Sequence, residues 1–400
     1  MKGHIQRLVQ DSLHGSVLKL LALGARLAFF VLVIPRLPSG VLSGYMFANS
    51  VAVMGATILI LGLDEELPRI IGGSVARARA YIRWFYLLSA LGLSGLAALI
   101  ALPSLNLAII VFLLAVSAGR ILAGIIRSID PRINEQIQNL PWVAFIAVVY
   151  IFRIDQTVLL IAVMAGAFLL VQYLGAYLVL SRDDFSETVP PVSLVALVRH
   201  GLKYGSSRLV SNFFLLGIIR GPIIWPVWLG ISGNLDQIAF AVAVGDIVTQ
   251  FGRIPANQAY ARWCRKPPMH RIDWRAAVTS SALLSVGLFV VASLAIAVAS
   301  ELNLLPKQAS NIGLQIQALL LSASVPGIRM VIYLLWSRGI LAVWIASLLS
   351  IMLLLSIASI YWIDMSKWFY VLAFIMAAGA ASMAAKSRHY FEISGTANGR

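Results

Sequence analysis

The sequence predicts an all-α polytopic membrane protein with about twelve transmembrane helices, arranged as two pseudo-symmetric six-helix bundles around a central cavity. Of the 400 residues, 60% are hydrophobic and 12% are charged, and the mean hydropathy is +0.89. Apolar runs with few charges recur along the chain at roughly the 20-residue length that a bilayer span requires. This composition excludes the soluble, fibrous and disordered classes. The single cysteine, Cys264, excludes an internal disulfide.

The apolar runs define the predicted spans in chain order. They cover residues 17–36, 41–62, 83–102, 105–126, 140–152, 157–180, 204–228, 237–254, 276–299, 313–335, 339–361 and 368–385. The fifth run is short, and the eighth and tenth are polar enough that each could be misread as a loop or a re-entrant segment.

A polar stretch from Arg182 to Val192, with acidic residues and two prolines, separates two sets of six spans. We therefore predict an N-terminal six-helix bundle (1–181), a cytoplasmic linker (182–200), a C-terminal six-helix bundle (201–390) and a disordered tail (391–400).

The distribution of basic residues predicts the orientation in the membrane. With both termini in the cytoplasm, most of the 31 Lys and Arg fall on inner segments, whereas Arg36, Arg153, Lys307 and Lys367 fall outside. The formal charge of +15 is thus explained by topology, and no nucleic-acid partner is predicted. The outer loops are short and carry no cluster of His, Asp or Glu, and the five histidines form no metal motif. We therefore expect no enzyme, no metal and no cofactor.

Polar residues at helical spacing mark four of the spans. They are Lys19 and Arg26 on the first span, Ser43, Asn49, Ser50, Thr57 and Asp64 on the second, Arg208, Ser211 and Asn212 on the seventh, and Asp246, Thr249, Gln250, Arg253 and Asn257 on the eighth. The first and second spans correspond to the seventh and eighth, which suggests two similar halves. Polar groups facing lipid are costly, so these stripes predict one water-filled cavity between the halves.

Arginines within the spans predict an anionic substrate. Arg26 is near the middle of the first span, where it either forms a structural ion pair with Asp246 or Asp64, or faces the cavity as an anion site. Guanidinium groups suit phosphate and diphosphate because they form bidentate charge-assisted hydrogen bonds. A cationic drug would be repelled by such a cavity. Arg208 is predicted either to contact the substrate or to have an interfacial structural role, and Arg329 to contact the substrate from either half. We expect Arg120 to snorkel from a cytoplasmic helix end and Arg220 to mark the outer end of the seventh span.

Asp246 is the only carboxylate well within a span. It is a candidate either to carry a coupling proton or to neutralise Arg26 or Arg253.

The stretch GLDEELPRIIGG from Gly62 to Gly73 resembles a short pattern found after the second helix of a known superfamily. Together with twelve spans, it is similar to the polysaccharide flippase branch of the multidrug/oligosaccharidyl-lipid/polysaccharide (MOP) exporters. Five residues match this pattern: Gly62, Leu63, Asp64, Pro68 and Arg69. FGRIPANQAYARW, from Phe251 to Trp263, resembles the end of the eighth helix of that superfamily.

The resemblance implies a flippase with the MATE-like arrangement of two bundles. Such proteins move polyprenyl-diphosphate-linked oligosaccharides across the bacterial cytoplasmic membrane for surface polysaccharide assembly, by alternating access. It also implies cavity arginines that hold the diphosphate, Arg26 being the best-corresponding position. The expected partners are the lipid-linked oligosaccharide, membrane lipids, and assembly proteins such as polymerases and glycosyltransferases. Three alternatives stay open: a small-molecule or drug exporter of the same fold, a membrane scaffold, and a polymerase or ligase.

Overall fold

The computed structural model describes residues 24–26, 28–71, 74–129, 131–180, 192–230, 235–265, 274–337, 343–359 and 365–396. Within these ranges the chain forms thirteen α-helices and no β-strand. The helices are α1 (Val41–Leu59), α2 (Leu63–Ile71), α3 (Val75–Ala101), α4 (Leu105–Ile129), α5 (Pro131–Phe152), α6 (Thr157–Leu180), α7 (Leu194–His200), α8 (Ser206–Trp228), α9 (Leu235–Arg265), α10 (Trp274–Glu301), α11 (Ile312–Ser337), α12 (Val343–Ala358) and α13 (Met365–Thr396).

Each predicted span from the second to the twelfth coincides with one α-helix, and the all-α class is confirmed. Among the described residues, eight helices are long and apolar enough to cross a membrane, and Leu140–Phe152 and Ser347–Ala358 are shorter apolar helices. The helix α9 is continuous over 31 residues, and α11 is continuous over 26 residues although it contains Pro326. Both the eighth and the tenth predicted spans are therefore helical rather than loops.

The first predicted span, 17–36, is described only from residue 24 onward, and Lys19 lies outside the described residues. A helical stretch leads into a π-helical turn at Phe29–Val33 and a 3-10 turn at Ile34–Arg36. Pro35 favours this end of the helix, because a proline ring removes a backbone donor.

The structure corrects two boundaries. The helix α13 continues to Thr396, so residues 391–396 of the predicted disordered tail are helical, and 397–400 lie outside the described residues. Good helix formers such as Ala384, Ala385 and Lys386 carry α13 past its apolar run, and no proline stops it. The helix α5 begins at Pro131, well before the apolar run, because proline is favoured in the first turn of a helix.

Contacts divide the chain into two compact units, Met1–Phe213 and Phe214–Arg400, so the division falls inside α8. The described end of the predicted linker packs on the first unit. The indole Nε1 of Trp84 donates to the carbonyl oxygen of Val192 at 3.2 Å, and the Tyr81 hydroxyl is 2.9 Å from Nδ1 of His200.

In the first unit, α4 is the central helix, and its neighbours are α1, α2, α3, α5 and α6. Small residues allow this close packing, as is usual for helices in membranes. A side chain added at Gly124 would meet the main-chain oxygen of Asp64 at 2.9 Å, so this glycine allows α2 to approach α4.

In the second unit, α11 is the central helix, and 83% of its apolar stretch is buried. A side chain added at Gly245 of α9 would collide with Ser322, and one at Gly252 would collide with Pro326. On another face of α11, the Ser281 hydroxyl of α10 donates to the carbonyl oxygen of Gly327 at 2.8 Å. By contrast, only 6% of the apolar stretch of α10 is buried, which leaves an apolar surface suited to lipid.

Candidate substrate-binding site

Arg26 lies against an aromatic cluster in the first unit. Its guanidinium carbon is 4.6 Å from the centre of the Trp142 ring on α5. Trp142 meets Phe145 edge to face at 6.0 Å between ring centres, and Phe145 stacks on Tyr45 of α1 at 5.9 Å. A cation–π contact with a tryptophan face stabilises a cation by about 0.5–2 kcal/mol. The cluster therefore gives the guanidinium of Arg26 a defined orientation.

The predicted polar stripe of the second span lies on α1 and is buried. Asn49 is 7% exposed and Ser50 is fully buried. Asn49 follows Tyr45 by one helical turn, so it lies on the face of α1 that carries the aromatic cluster. Asn49 thus shares a helix face with Tyr45, while Ser50 belongs to the stripe that continues through Thr57 to Asp64.

Thr57 and Asp64 are joined through Arg120 of α4. The Nη1 atom of Arg120 donates to the Thr57 hydroxyl at 2.6 Å and is 4.0 Å from Oδ2 of Asp64. The expectation that Arg120 snorkels from a helix end was wrong. A partly buried guanidinium is stabilised by hydrogen bonds and by nearby negative charge, and here α1 provides the Thr57 hydroxyl and α2 the Asp64 carboxylate.

The motif glycine has a structural explanation in the turn between α1 and α2. Gly62 has φ of +68°, a left-handed conformation that favours glycine. A side chain there would meet the carbonyl oxygen of Gly205 at 2.6 Å and the amide nitrogen of Leu209 at 3.0 Å. Gly62 therefore allows this turn to pack against the chain at Gly205. Pro68 and Arg69 belong to α2, but their side chains lie outside the described residues.

A tight ion pair lies in the second unit, between α8 and α9. The Nη2 atom of Arg220 is 2.6 Å from Oδ2 of Asp246, and the two side chains are 9% and 18% exposed. The expectation that Arg220 marks only the outer end of its span was wrong. Arg220 provides the guanidinium that pairs with the Asp246 carboxylate, and the sequence pattern did not predict this pair. Buried charges are stable only when paired and hydrogen-bonded, which explains this contact.

Arg329 is the most unusual arginine of the second unit. It is 3% exposed, and its Nε and Nη1 atoms have no hydrogen-bond partner among the residues that the structure describes. It follows Ser322 and Pro326 on α11 by seven and three residues, so it continues the helix face that packs on α9. A guanidinium keeps its charge in proteins, so this site favours an anionic group with several oxygens.

The two remaining predicted site residues lie on α8. Asn212 is 9% exposed and therefore buried. The side chain of Arg208 lies outside the described residues, as do the side chains of Gln250, Arg253 and Asn257 on α9.

Sequence patterns missed the Arg120–Asp64 and Arg220–Asp246 pairs and the aromatic support of Arg26. One signal was present, because an arginine inside a span needs a carboxylate, an aromatic face or water. Which partner each arginine takes depends on helix packing. In the part of the chain that the structure describes, no group of three His, Cys, Asp or Glu side chains is placed to hold a metal ion.

The fold and these polar groups define a multi-pass helical membrane protein with arginines inside its helical bundles. Its fold is similar to that of two solved structures of MATE proteins. No protein-family model matches the sequence, and no curated protein sequence matches it significantly.

The first similar structure is an outward-facing conformation of a multidrug resistance MATE family transporter of the MOP superfamily. It has 13% sequence identity and a TM-score of 0.52, covering 97% of this chain and 95% of that chain. The second is a MATE protein in complex with MaL6, with 13% identity, a TM-score of 0.51, and coverage of 97% and 96%. At this identity the likeness concerns the fold alone, which agrees with the predicted MATE-like arrangement.

Proposed function

We propose that this protein is a membrane transporter that flips a polyprenyl-diphosphate-linked oligosaccharide across the bacterial cytoplasmic membrane by alternating access. Both termini would lie in the cytoplasm, and the glycan would enter surface polysaccharide assembly. The transporter fold supports the general class. The substrate class rests on charge, and above all on one observation: the buried guanidinium of Arg329, whose Nε and Nη1 atoms have no hydrogen-bond partner in the described part of the chain.

A diphosphate meets the needs of such a group better than a neutral or cationic molecule does. It supplies several charged oxygens to a guanidinium that is otherwise costly within a bilayer, by about 3 kcal/mol even on the lenient insertion scale. Arg26, held on the Trp142 ring, and Arg208 are the further arginines that we assign to the diphosphate. Asn49, Ser50 and Asn212 supply buried amide and hydroxyl groups.

Two of the described carboxylates already lie beside arginines. Asp64 lies beside Arg120, and Asp246 is paired with Arg220. The Asp246–Arg220 pair favours charge neutralisation over proton coupling as the role of Asp246, because this carboxylate already has a guanidinium partner.

The second candidate function is export of a small molecule, which is favoured by the naming of one similar structure as a multidrug resistance transporter. An exporter of cationic compounds requires acidic or aromatic groups that are free to meet the compound. The two candidates therefore make opposite predictions for the arginines.

A deletion strain carrying plasmid variants tests the proposal. In the deletion strain, the lipid-linked oligosaccharide should accumulate in the inner leaflet. Expression of the wild-type protein should reverse this accumulation. Arg26→Ala and Arg329→Ala should fail to reverse it, since each removes a proposed diphosphate contact. Arg127→Ala is the matched control, because Arg127 is exposed in the last turn of α4.

The result that contradicts the flippase is equally specific. Normal surface glycan in the deletion strain, together with altered tolerance to cationic compounds, would support the exporter. Full activity of both arginine variants, at wild-type protein levels, would refute the assigned diphosphate site.

A further inference from the structure

A groove at one end of the first unit gathers two arginines. It has a volume of about 600 Å³ and is partly open. Arg36 from the end of the first span and Arg153 from the turn after α5 both line it, together with Tyr150 and Asp155. This volume lies within the range of small-molecule sites in proteins. We call this feature the Arg36–Arg153 groove.

The guanidinium of Arg36 is held in place by Tyr150. Its carbon lies 4.6 Å from the centre of the Tyr150 ring, and its Nη2 is 3.5 Å from the Tyr150 hydroxyl oxygen. Stacking on an aromatic face leaves the in-plane N–H groups of a guanidinium directed outward. In the described structure, neither Arg36 nor Arg153 forms an ion pair, although the Asp155 carboxylate lines the same groove.

The net charge of these groups specifies the ligand. Two guanidiniums and one carboxylate leave a charge of +1 in the groove, which a phosphodiester with a single negative charge would balance. Phosphodiesters also provide two oxygens for bidentate hydrogen bonds.

An exposed apolar surface adjoins the charged end of the groove. Leu32 and Ile151 line the groove and are 40% and 69% exposed, and their chain neighbours Val31 and Phe152 are 55% and 72% exposed. Arg153 directly follows Leu140–Phe152, a short apolar helix. Basic groups at the end of an apolar helix lie at the level of lipid headgroups.

We propose that the Arg36–Arg153 groove binds a phospholipid with one net negative charge, such as phosphatidylglycerol. The phosphodiester contacts Arg36 and Arg153, and the acyl chains lie along the exposed surface that includes Leu32 and Ile151. This is a resident lipid site in the first unit alone, and it does not depend on the transported substrate proposed above.

The test uses the purified full-length chain, stripped of lipid in detergent. Native mass spectrometry measures binding of phosphatidylglycerol, of zwitterionic phosphatidylcholine, and of soluble glycerophosphoglycerol as the headgroup alone. The wild type should retain one tightly bound phosphatidylglycerol. Retention of phosphatidylcholine to the same extent would overturn the charge argument, and equal affinity for glycerophosphoglycerol would overturn the assignment to a lipid.

Four variants identify the residues. Arg36→Gln and Arg153→Asn should each weaken phosphatidylglycerol binding about fivefold, as expected for loss of one cation near an anionic lipid. Asparagine is chosen because Arg153 has φ of +53°, which asparagine tolerates. Asp155→Asn should strengthen binding, because it removes the repelling charge. Lys307→Gln, at an exposed position in the second unit, is the control and should leave binding unchanged.

The gain of binding in Asp155→Asn cannot come from a damaged fold, so it keeps the test decisive if an arginine variant proves unstable. Wild-type binding by the Arg36→Gln/Arg153→Asn double variant would overturn the proposal. So would unchanged or weaker binding by Asp155→Asn.

Discussion

Replacing Arg329 by methionine should stabilise the protein and abolish transport of the lipid-linked oligosaccharide. Arg329 is 3% exposed, and within the described ranges its Nε and Nη1 atoms have no hydrogen-bond partner. An unsatisfied buried donor costs about 1–3 kcal/mol, so two of them cost about 2–6 kcal/mol. Methionine is also unbranched and apolar, and it adapts to irregular space in a packed core.

The lower end of this range is enough to measure. An increase of about 2 kcal/mol in the free energy of unfolding corresponds to a rise of about 4–8 °C in melting temperature for a unit of this size. Thermal unfolding of the purified protein in detergent, followed by tryptophan fluorescence, measures the change. A proteoliposome assay with a fluorescent polyprenyl diphosphate oligosaccharide measures transport.

Arg220→Met is the matched control, since it makes the same replacement at a paired arginine. It should lower the melting temperature, because it leaves the Asp246 carboxylate buried without its guanidinium partner. A similar fall for Arg329→Met would refute the reasoning, because it would mean that Arg329 has a structural partner. Unimpaired transport by Arg329→Met would refute the proposed diphosphate contact.

Two further predictions concern stability within each unit. Breaking the buried pair with Arg220→Met should cost about 3–5 kcal/mol, and Arg220→Met/Asp246→Leu should recover most of this loss; additive losses in the double-mutant cycle would contradict a buried pair. Gly62→Ala should destabilise the fold more than Gly40→Ala, because both glycines have positive φ but only Gly62 faces backbone atoms within 3.0 Å. The left-handed strain common to both alanine variants is about 1–2 kcal/mol. Equal melting temperatures of the two variants in detergent would show that the approach of Gly62 to Gly205 does not constrain the turn.

Much of the fold could be predicted because the bilayer imposes a local rule. Each span must satisfy its own backbone hydrogen bonds and present about 20 apolar residues, and both requirements are readable in one short stretch. The helices α1 and α4 therefore coincide closely with apolar runs. The ends beyond the bilayer were less predictable, as α13 shows, because helix propensity continues where hydropathy has already fallen.

Only part of the candidate site could be predicted from the sequence. Helical spacing identified Ser43, Ser50 and Thr57 as polar residues of one stripe on α1, and all three are buried. The Gly62 motif was visible as a pattern, but its close approach to Gly205 depends on residues more than a hundred positions away in the chain. Arg26 and Trp142 are also more than a hundred positions apart, so the sequence does not reveal the contact between them.

The sequence by itself determined the class of protein, the helical spans and the excess of arginine within them, because hydropathy and helical period are properties of a single segment. Only the tertiary structure decided which of those arginines are neutralised. Arg120 meets Asp64, Arg220 meets Asp246, and Arg329 is buried with two nitrogens that have no hydrogen-bond partner among the described residues. Charge pairing depends on distances of a few ångströms between different helices, and these are set by packing, which no single segment records.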